Sequence, residues 1–281
     1  MKEQQLKAVR VYFKLLSGLS TKWSGTRAFW MMQKVRNKKI KSIEAEFYKQ
    51  ALPFTVPFPK ENLNAYTLGD PQGKLLFLVH GLNSNAGSLT RLATEFVDLG
   101  YRVVSFDLPA HAFAKKKHTN LYECKEAFKA VINYVDPQQP FDIISHSLGS
   151  ATTIYALSEL SQPVNRMVLL TSPNATIDFF LEFKRIVGLN QAVFKEVLDR
   201  ANTLAKEDIS TMKVEDKLKH VAFDASLIIH DKRDKVIPFT SSQDIANSSS
   251  QVQLKSYENI GHYRMLWKDE VIQDAVTFLT N

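Results

Sequence analysis

Ser147 stands in Ser145-His146-Ser147-Leu148-Gly149, where an apolar run over 141–145 gives way to helical spacing. A serine framed by small residues at a tight strand-to-helix turn takes a strained backbone and presents its hydroxyl at a helix N-terminus. Such a hydroxyl is a weak nucleophile until a base removes its proton, and the usual base is an imidazole oriented by a carboxylate. The chain supplies both downstream. Asp234 lies in His230-Asp231-Lys232-Arg233-Asp234-Lys235-Val236-Ile237-Pro238, and His262 lies in Asn259-Ile260-Gly261-His262-Tyr263. Asp231 competes for the role of the carboxylate; Asp234 is preferred because it sits further from the end of the preceding apolar run.

Attack by a serine on a carbonyl puts negative charge on the carbonyl oxygen, and two backbone N–H groups aimed there stabilise it by a few kcal/mol. His80-Gly81-Leu82-Asn83 follows another apolar run, 75–79, and Gly81 lets the backbone approach closely. Leu82 and Leu148 are the expected donors. His146 reads as a helix-start residue shaping the turn, and His80 as a residue that orients the loop carrying Leu82.

These loops need a scaffold that delivers them to one edge. From about residue 60 onward, short apolar runs alternate with segments of helical period, the pattern of an α/β domain with a largely parallel sheet. The candidate strands are 63–68, 75–79, 102–106, 141–145, 167–171, 226–230 and 252–256, with helices at 87–99, 120–135, 147–160, 240–248 and 266–279. In an open parallel sheet, ligands bind beyond the carboxyl ends of the strands, where all four segments fall. Between 171 and 226 the alternation stops. Helices at 177–187 and 191–205 and a short piece at 214–221 predict an inserted helical cap at about 174–222, whose Phe179, Phe180 and Phe183 are first of all its core and also candidates to line a substrate pocket.

Net charge is +7, and it is uneven: residues 1–49 hold 12 of the 36 Lys and Arg but 3 of the 29 Asp and Glu, a local +9 against −2 for residues 50–281. The reading is therefore a basic extension, 1–49, ahead of an α/β domain, 50–281. In the extension, Leu6, Val9, Phe13 and Leu16 recur at helical spacing among Lys2, Lys7, Arg10 and Lys14; a second apolar stretch, 28–35, precedes Arg36, Lys38, Lys39 and Lys41. Two readings apply: a helical extension packed on the domain, or adsorption of residues 1–40 to an anionic membrane surface. The body lacks a basic face with groove-entering or base-stacking elements, so nucleic acid is not an expected partner. One cysteine, Cys124, excludes an internal disulfide and a multi-cysteine zinc site, and no apolar run approaches the roughly 20 residues that cross a bilayer. A cytoplasmic setting, with contact at a membrane surface as the variant, is the expectation.

With these segments in place, residues 60–281 resemble the α/β-hydrolase superfamily, in the branch with a single His-Gly in the oxyanion loop and a helical cap. Asp107-Leu108-Pro109-Ala110-His111 is similar to that family's Asp-x-Pro-Gly-His segment. The resemblance implies Ser147 as nucleophile, Asp234 as acid, His262 as base, the backbone of Leu82 and Leu148 as oxyanion donors, His111 as a structural hydrogen bonder, and no cofactor or metal. The chain departs from the family at Ser145 and Ala110, where glycine is usual, and at Ser150, where glycine or alanine is common. The expected activity is hydrolysis of a small carboxylic ester, with the apolar cap favouring an apolar acyl group. Thioester, lactone, amide and carbon–carbon bond cleavage use the same constellation in related proteins, and a ligand-binding module without turnover is the reading from another class.

Overall fold

The computed structural model describes residues 3–36 and 39–281; Lys2 and Lys38 of the basic stretch lie outside the described residues. In chain order the elements are α1 (Glu3–Leu19), α2 (Thr21–Met32), α3 (Ser42–Gln50), β1 (Leu52–Val56), β2 (Leu63–Gly69), β3 (Leu75–Val79), α4 (Thr90–Asp98), β4 (Arg102–Phe106), α5 (Leu121–Val135), β5 (Phe141–His146), α6 (Leu148–Leu157), β6 (Val164–Leu170), α7 (Thr176–Val187), α8 (Gln191–Ala205), α9 (Val214–Leu218), β7 (Phe223–Asp231), α10 (Phe239–Asn247), β8 (Val252–Tyr257) and α11 (Asp269–Thr280). The chain divides into two compact units, Val35–Asn174 with Val214–Asn281, and Met1–Lys34 with Ala175–Lys213.

The larger unit is an α/β fold around an eight-stranded sheet in the order β1-β2-β4-β3-β5-β6-β7-β8. β2 runs antiparallel to β1 and β4, and every other pair is parallel. The seven expected strands all form. Central strands β3 and β5 are almost wholly buried, as apolar runs covered on both faces must be. Phe77 on β3 meets Phe128 of α5 and Phe141 of β5 edge-on, at 5.7 and 5.0 Å between ring centres. Local chemistry sets the helix ends: the Asn120 side chain accepts from the Glu123 N–H at the start of α5, and Asp136 closes that helix in the left-handed conformation.

Two elements lie outside the sequence expectation. β1 contains Pro53, which argues against a strand in the middle of a sheet but is tolerated at an edge, and β1 is the edge. α3, which the charge pattern groups with the basic extension, belongs to the larger unit: it buries Phe47, and its Tyr48 hydroxyl bonds Asn85 and Asp107.

In the smaller unit, α1 packs on α2 and α7, and α2 packs on α8. Residues 3–34 and the insertion after β6 therefore bury each other. Phe13, Leu16 and Ala28 supply one side of this core, and Val187, Val193 and Val197 the other. Gly25 permits the close crossing of α2 and α8, since a Cβ there would stand 2.4 Å from Glu196 Cβ. The Arg10 Nε–H donates to the Ile186 carbonyl at 2.9 Å. Asn190 caps α8 through the Val193 N–H, and Gly188 ends α7 at φ +73°. No described helix is long and apolar enough to cross a membrane.

Candidate active site

Three loops at the carboxyl ends of β5, β7 and β8 bring Ser147, Asp234 and His262 together. Ser147 is held at φ +55°, ψ −122°, a conformation costly for any residue with a side chain, and its N–H is anchored on the Leu170 carbonyl at 2.9 Å. The His262 Nδ1–H donates to Asp234 Oδ2 at 2.7 Å, which leaves Nε2 as the acceptor for the Ser147 hydroxyl at 3.0 Å. Ser147, His262 and Asp234 thus form one continuous hydrogen-bond chain.

Asp234 is fully buried at its side chain yet well satisfied. Its Oδ1 accepts the Val236 and Ile237 N–H groups at 2.7 and 3.1 Å. Burial pushes its pKa up, but the hydrogen bonds of His230 and His262, the charge of His262 and the Val236 N–H outweigh it and hold the carboxyl well below its usual range. His230 stands behind, buried, with Nδ1 accepting from Ser242 Oγ at 2.6 Å and Nε2 at 3.5 Å from Asp234 Oδ2. Asp231 does different work. Its carboxylate accepts the Gly261 N–H at 2.6 Å and the Arg233 N–H at 2.7 Å, so it clamps the loop that carries His262.

The loop with Leu82 lies against Ser147. A Cβ on Gly81 would reach within 3.1 Å of Ser147 Cβ and 3.0 Å of His146 Nδ1. The N–H groups of Leu82 and Leu148 donate to no acceptor among the described residues, and Leu148 opens α6, whose first N–H groups are free by geometry. Two histidines pin this loop to the one after β4. The His80 Nδ1–H donates to the Gly81 carbonyl while Nε2 accepts the Leu108 N–H; His111 donates from Nδ1 to the Pro109 carbonyl and accepts the Asn83 N–H on Nε2. Burial keeps His80 neutral, and burial with the charge of His262 lowers His146 to about 3. His146 donates from Nε2 to the His262 carbonyl at 3.1 Å, which ties the Ser147 turn to the His262 loop.

The three departures from the family pattern have structural counterparts. Ser145 and Ser150 are both buried and bond each other across the turn at 3.3 Å, with the Ser150 hydroxyl also reaching the Ser145 carbonyl at 3.1 Å. Ala110 holds φ +69°, the left-handed region where glycine is free of strain. Gly149 admits no replacement, because a Cβ there would sit 2.4 Å from the Val79 carbonyl oxygen and 2.6 Å from that of His80. Gly149→Ala is therefore expected to destabilise the fold by about 3 kcal/mol, read as a lowered urea midpoint, since rigid backbone must move apart.

Sequence reasoning missed the support behind the loop that carries Leu82. Asp107 is buried and accepts from the Ala86 N–H, Tyr48 Oη and Tyr66 Oη at 2.9, 3.0 and 3.0 Å. Burial raises its pKa to about 6 against the pull of those three donors. Asn85 joins this group to Glu44 of α3 at 2.9 Å. The partners come from α3, β2 and the turn before α4, and no local motif announces them. Phe179, Phe180 and Phe183 lie on α7 of the smaller unit, Phe180 and Phe183 buried and Phe179 half exposed.

A family model described as alpha/beta hydrolase fold matches residues 74–224. No curated protein sequence matches the chain. Among solved structures, a Pyrococcus furiosus esterase superposes with a TM-score of 0.66 at 18% identity, covering 88% of this chain and 98% of its own. A membrane phospholipase A, described as a bacterial virulence factor, superposes at 0.65 and 14% identity over 99% of this chain and 98% of its own. A bromoperoxidase from Bacillus anthracis superposes at 0.63 and 15% identity, covering 82% and 100%. At these identities the likeness is one of fold.

Proposed function

Because the chain belongs to the α/β-hydrolase fold family, we propose that it is a serine hydrolase that cleaves a carboxylic ester through Ser147, His262 and Asp234. The observation that carries this reading is the unbroken hydrogen-bond chain from Ser147 Oγ through both ring nitrogens of His262 to Asp234. Ser147 Oγ attacks the carbonyl carbon as its proton passes to His262 Nε2, and the ionised Asp234 stabilises the imidazolium that forms. The negative charge on the carbonyl oxygen meets the N–H groups of Leu82 and Leu148, each contributing roughly 3 kcal/mol to the transition state. His262 then returns the proton to the leaving alcohol, and a water activated by the same nitrogen resolves the acyl-enzyme. No cofactor enters these steps.

An esterase and a phospholipase among the structural neighbours favour an ester with an apolar acyl group, whereas the bromoperoxidase shows that this fold also carries other names. The test is labelling of the folded protein by a fluorophosphonate, with heat-denatured protein as control, followed by a chain-length series of esters and thioesters. Stoichiometric labelling at Ser147 and faster turnover of esters than of thioesters are expected. A folded protein that resists both a bulky and a small probe, and turns over no ester, overturns the reading in favour of ligand binding without turnover.

A further inference from the structure

α1 has two apolar arcs. One, with Phe13 and Leu16, is buried in the helical unit; the other, Val11, Tyr12, Leu15 and Leu19, spans about 100° of the helix by its 3.6-residue period and faces outward. Val11, Leu15 and Leu19 are 56%, 68% and 82% exposed, and Trp23, next in α2, is 60% exposed. A helix needs one apolar face to join its unit, so the second is left without a function in packing. Lys7 and Lys14 border this arc by the same helical period, and α2 adds Lys22 and Arg27. Lys14, Lys22 and Arg27 have no acidic partner among the described residues; Lys7 pairs only with exposed Glu3.

The charge identifies the occupant. The helical unit holds thirteen basic against seven acidic residues, so it carries +6 of the chain's +7, and the larger unit is near neutral. Two copies meeting through this face would oppose like charges. An anionic lipid surface supplies the complement to both features, phosphates for the cations and acyl chains for the leucines and the indole. We infer that the outer face of α1 and the start of α2 form a docking surface for an anionic membrane, which holds this unit flat at the lipid interface. The inference does not depend on the hydrolase reading, since it concerns where the chain adsorbs.

The experiment is co-sedimentation of the full chain, carrying Ser147→Ala so that lipid is not consumed, with phosphatidylcholine vesicles with and without phosphatidylglycerol. Binding confined to the anionic vesicles and released by high salt is expected. Leu15→Ser/Leu19→Ser/Trp23→Ser, which alters only exposed positions, is expected to lower the partition coefficient roughly tenfold or more, and Lys14→Glu/Lys22→Glu/Arg27→Glu likewise. Unchanged circular dichroism shows that either variant is folded. Failure of the full chain to sediment with anionic vesicles, or undiminished binding by the folded apolar variant, overturns the inference. So does light scattering that shows a dimer which the apolar variant dissolves and vesicles do not compete with.

Discussion

Ser147→Ala is expected to lower kcat/KM for a soluble short-chain ester by about 10⁴–10⁶-fold, with the remainder arising from the N–H groups of Leu82 and Leu148 and from binding. Stability should barely change, because the hydroxyl makes one hydrogen bond, to a half-open site, and its removal leaves no rigid cavity. Ser147→Gly sharpens the experiment. The φ of +55° at this position strains any residue with a Cβ, and glycine relieves it. Ser147→Gly should therefore be as inactive as Ser147→Ala yet more stable by about 1 kcal/mol in urea denaturation. Equal stability of the two would mean that the turn is not strained, and turnover surviving in both would mean that another group attacks the ester.

The second large effect separates two carboxylates three residues apart. Asp234→Asn should cut kcat by about 10⁴-fold, because the amide no longer fixes the Nδ1–H tautomer of His262 or stabilises its charge. Asp231→Asn should act chiefly on stability. An amide presents an N–H₂ to one of the two N–H groups that the carboxylate now satisfies, and a buried donor left unpaired costs about 2 kcal/mol. The pH dependence adds a check. Asp234 has its carboxyl pKa depressed in the folded state, so its contribution to stability is complete above the unfolded value near 4 and is lost only as pH falls through the lower folded one. The stability difference between wild type and Asp234→Asn should be flat from pH 7 to about 5 and shrink on further acidification. A rate loss confined to Asp231→Asn would reverse the assignment of the two residues.

What could be read from the chain and what could not divide along one physical line. Ser147, Asp234 and His262 are legible because each lies on the loop that leaves a strand, and a parallel sheet delivers all such loops to one edge. The preference for Asp234 over Asp231 has a structural counterpart in the Val236 and Ile237 N–H groups, which turn back onto its carboxylate. Contacts between distant segments were not legible. Nothing near Asp107 announces Tyr48 and Tyr66, and Ser145 and Ser150 read as substitutions in a motif until their hydroxyls are seen to meet. β1 hid behind Pro53, whose meaning depends on whether the strand is central or at the edge. The apolar stripe of α1 likewise identified a helix and left open which surface would cover it, because amphipathicity reports a face and not its partner.

That partner has a consequence for the order in which the chain matures during synthesis. α1 and α2 emerge from the ribosome well before the helices that bury Phe13, Leu16 and Ala28, which begin at Thr176, some 140 residues later. At about 5–20 residues per second, these two helices wait roughly 7–30 s with their apolar faces in water. For that interval these two helices stay adhesive, and the elements they must await are themselves inserted between two strands of the sheet. A chaperone that intercepts this chain would accordingly find its target on α1 and α2, and would be dismissed by the arrival of α7 and α8.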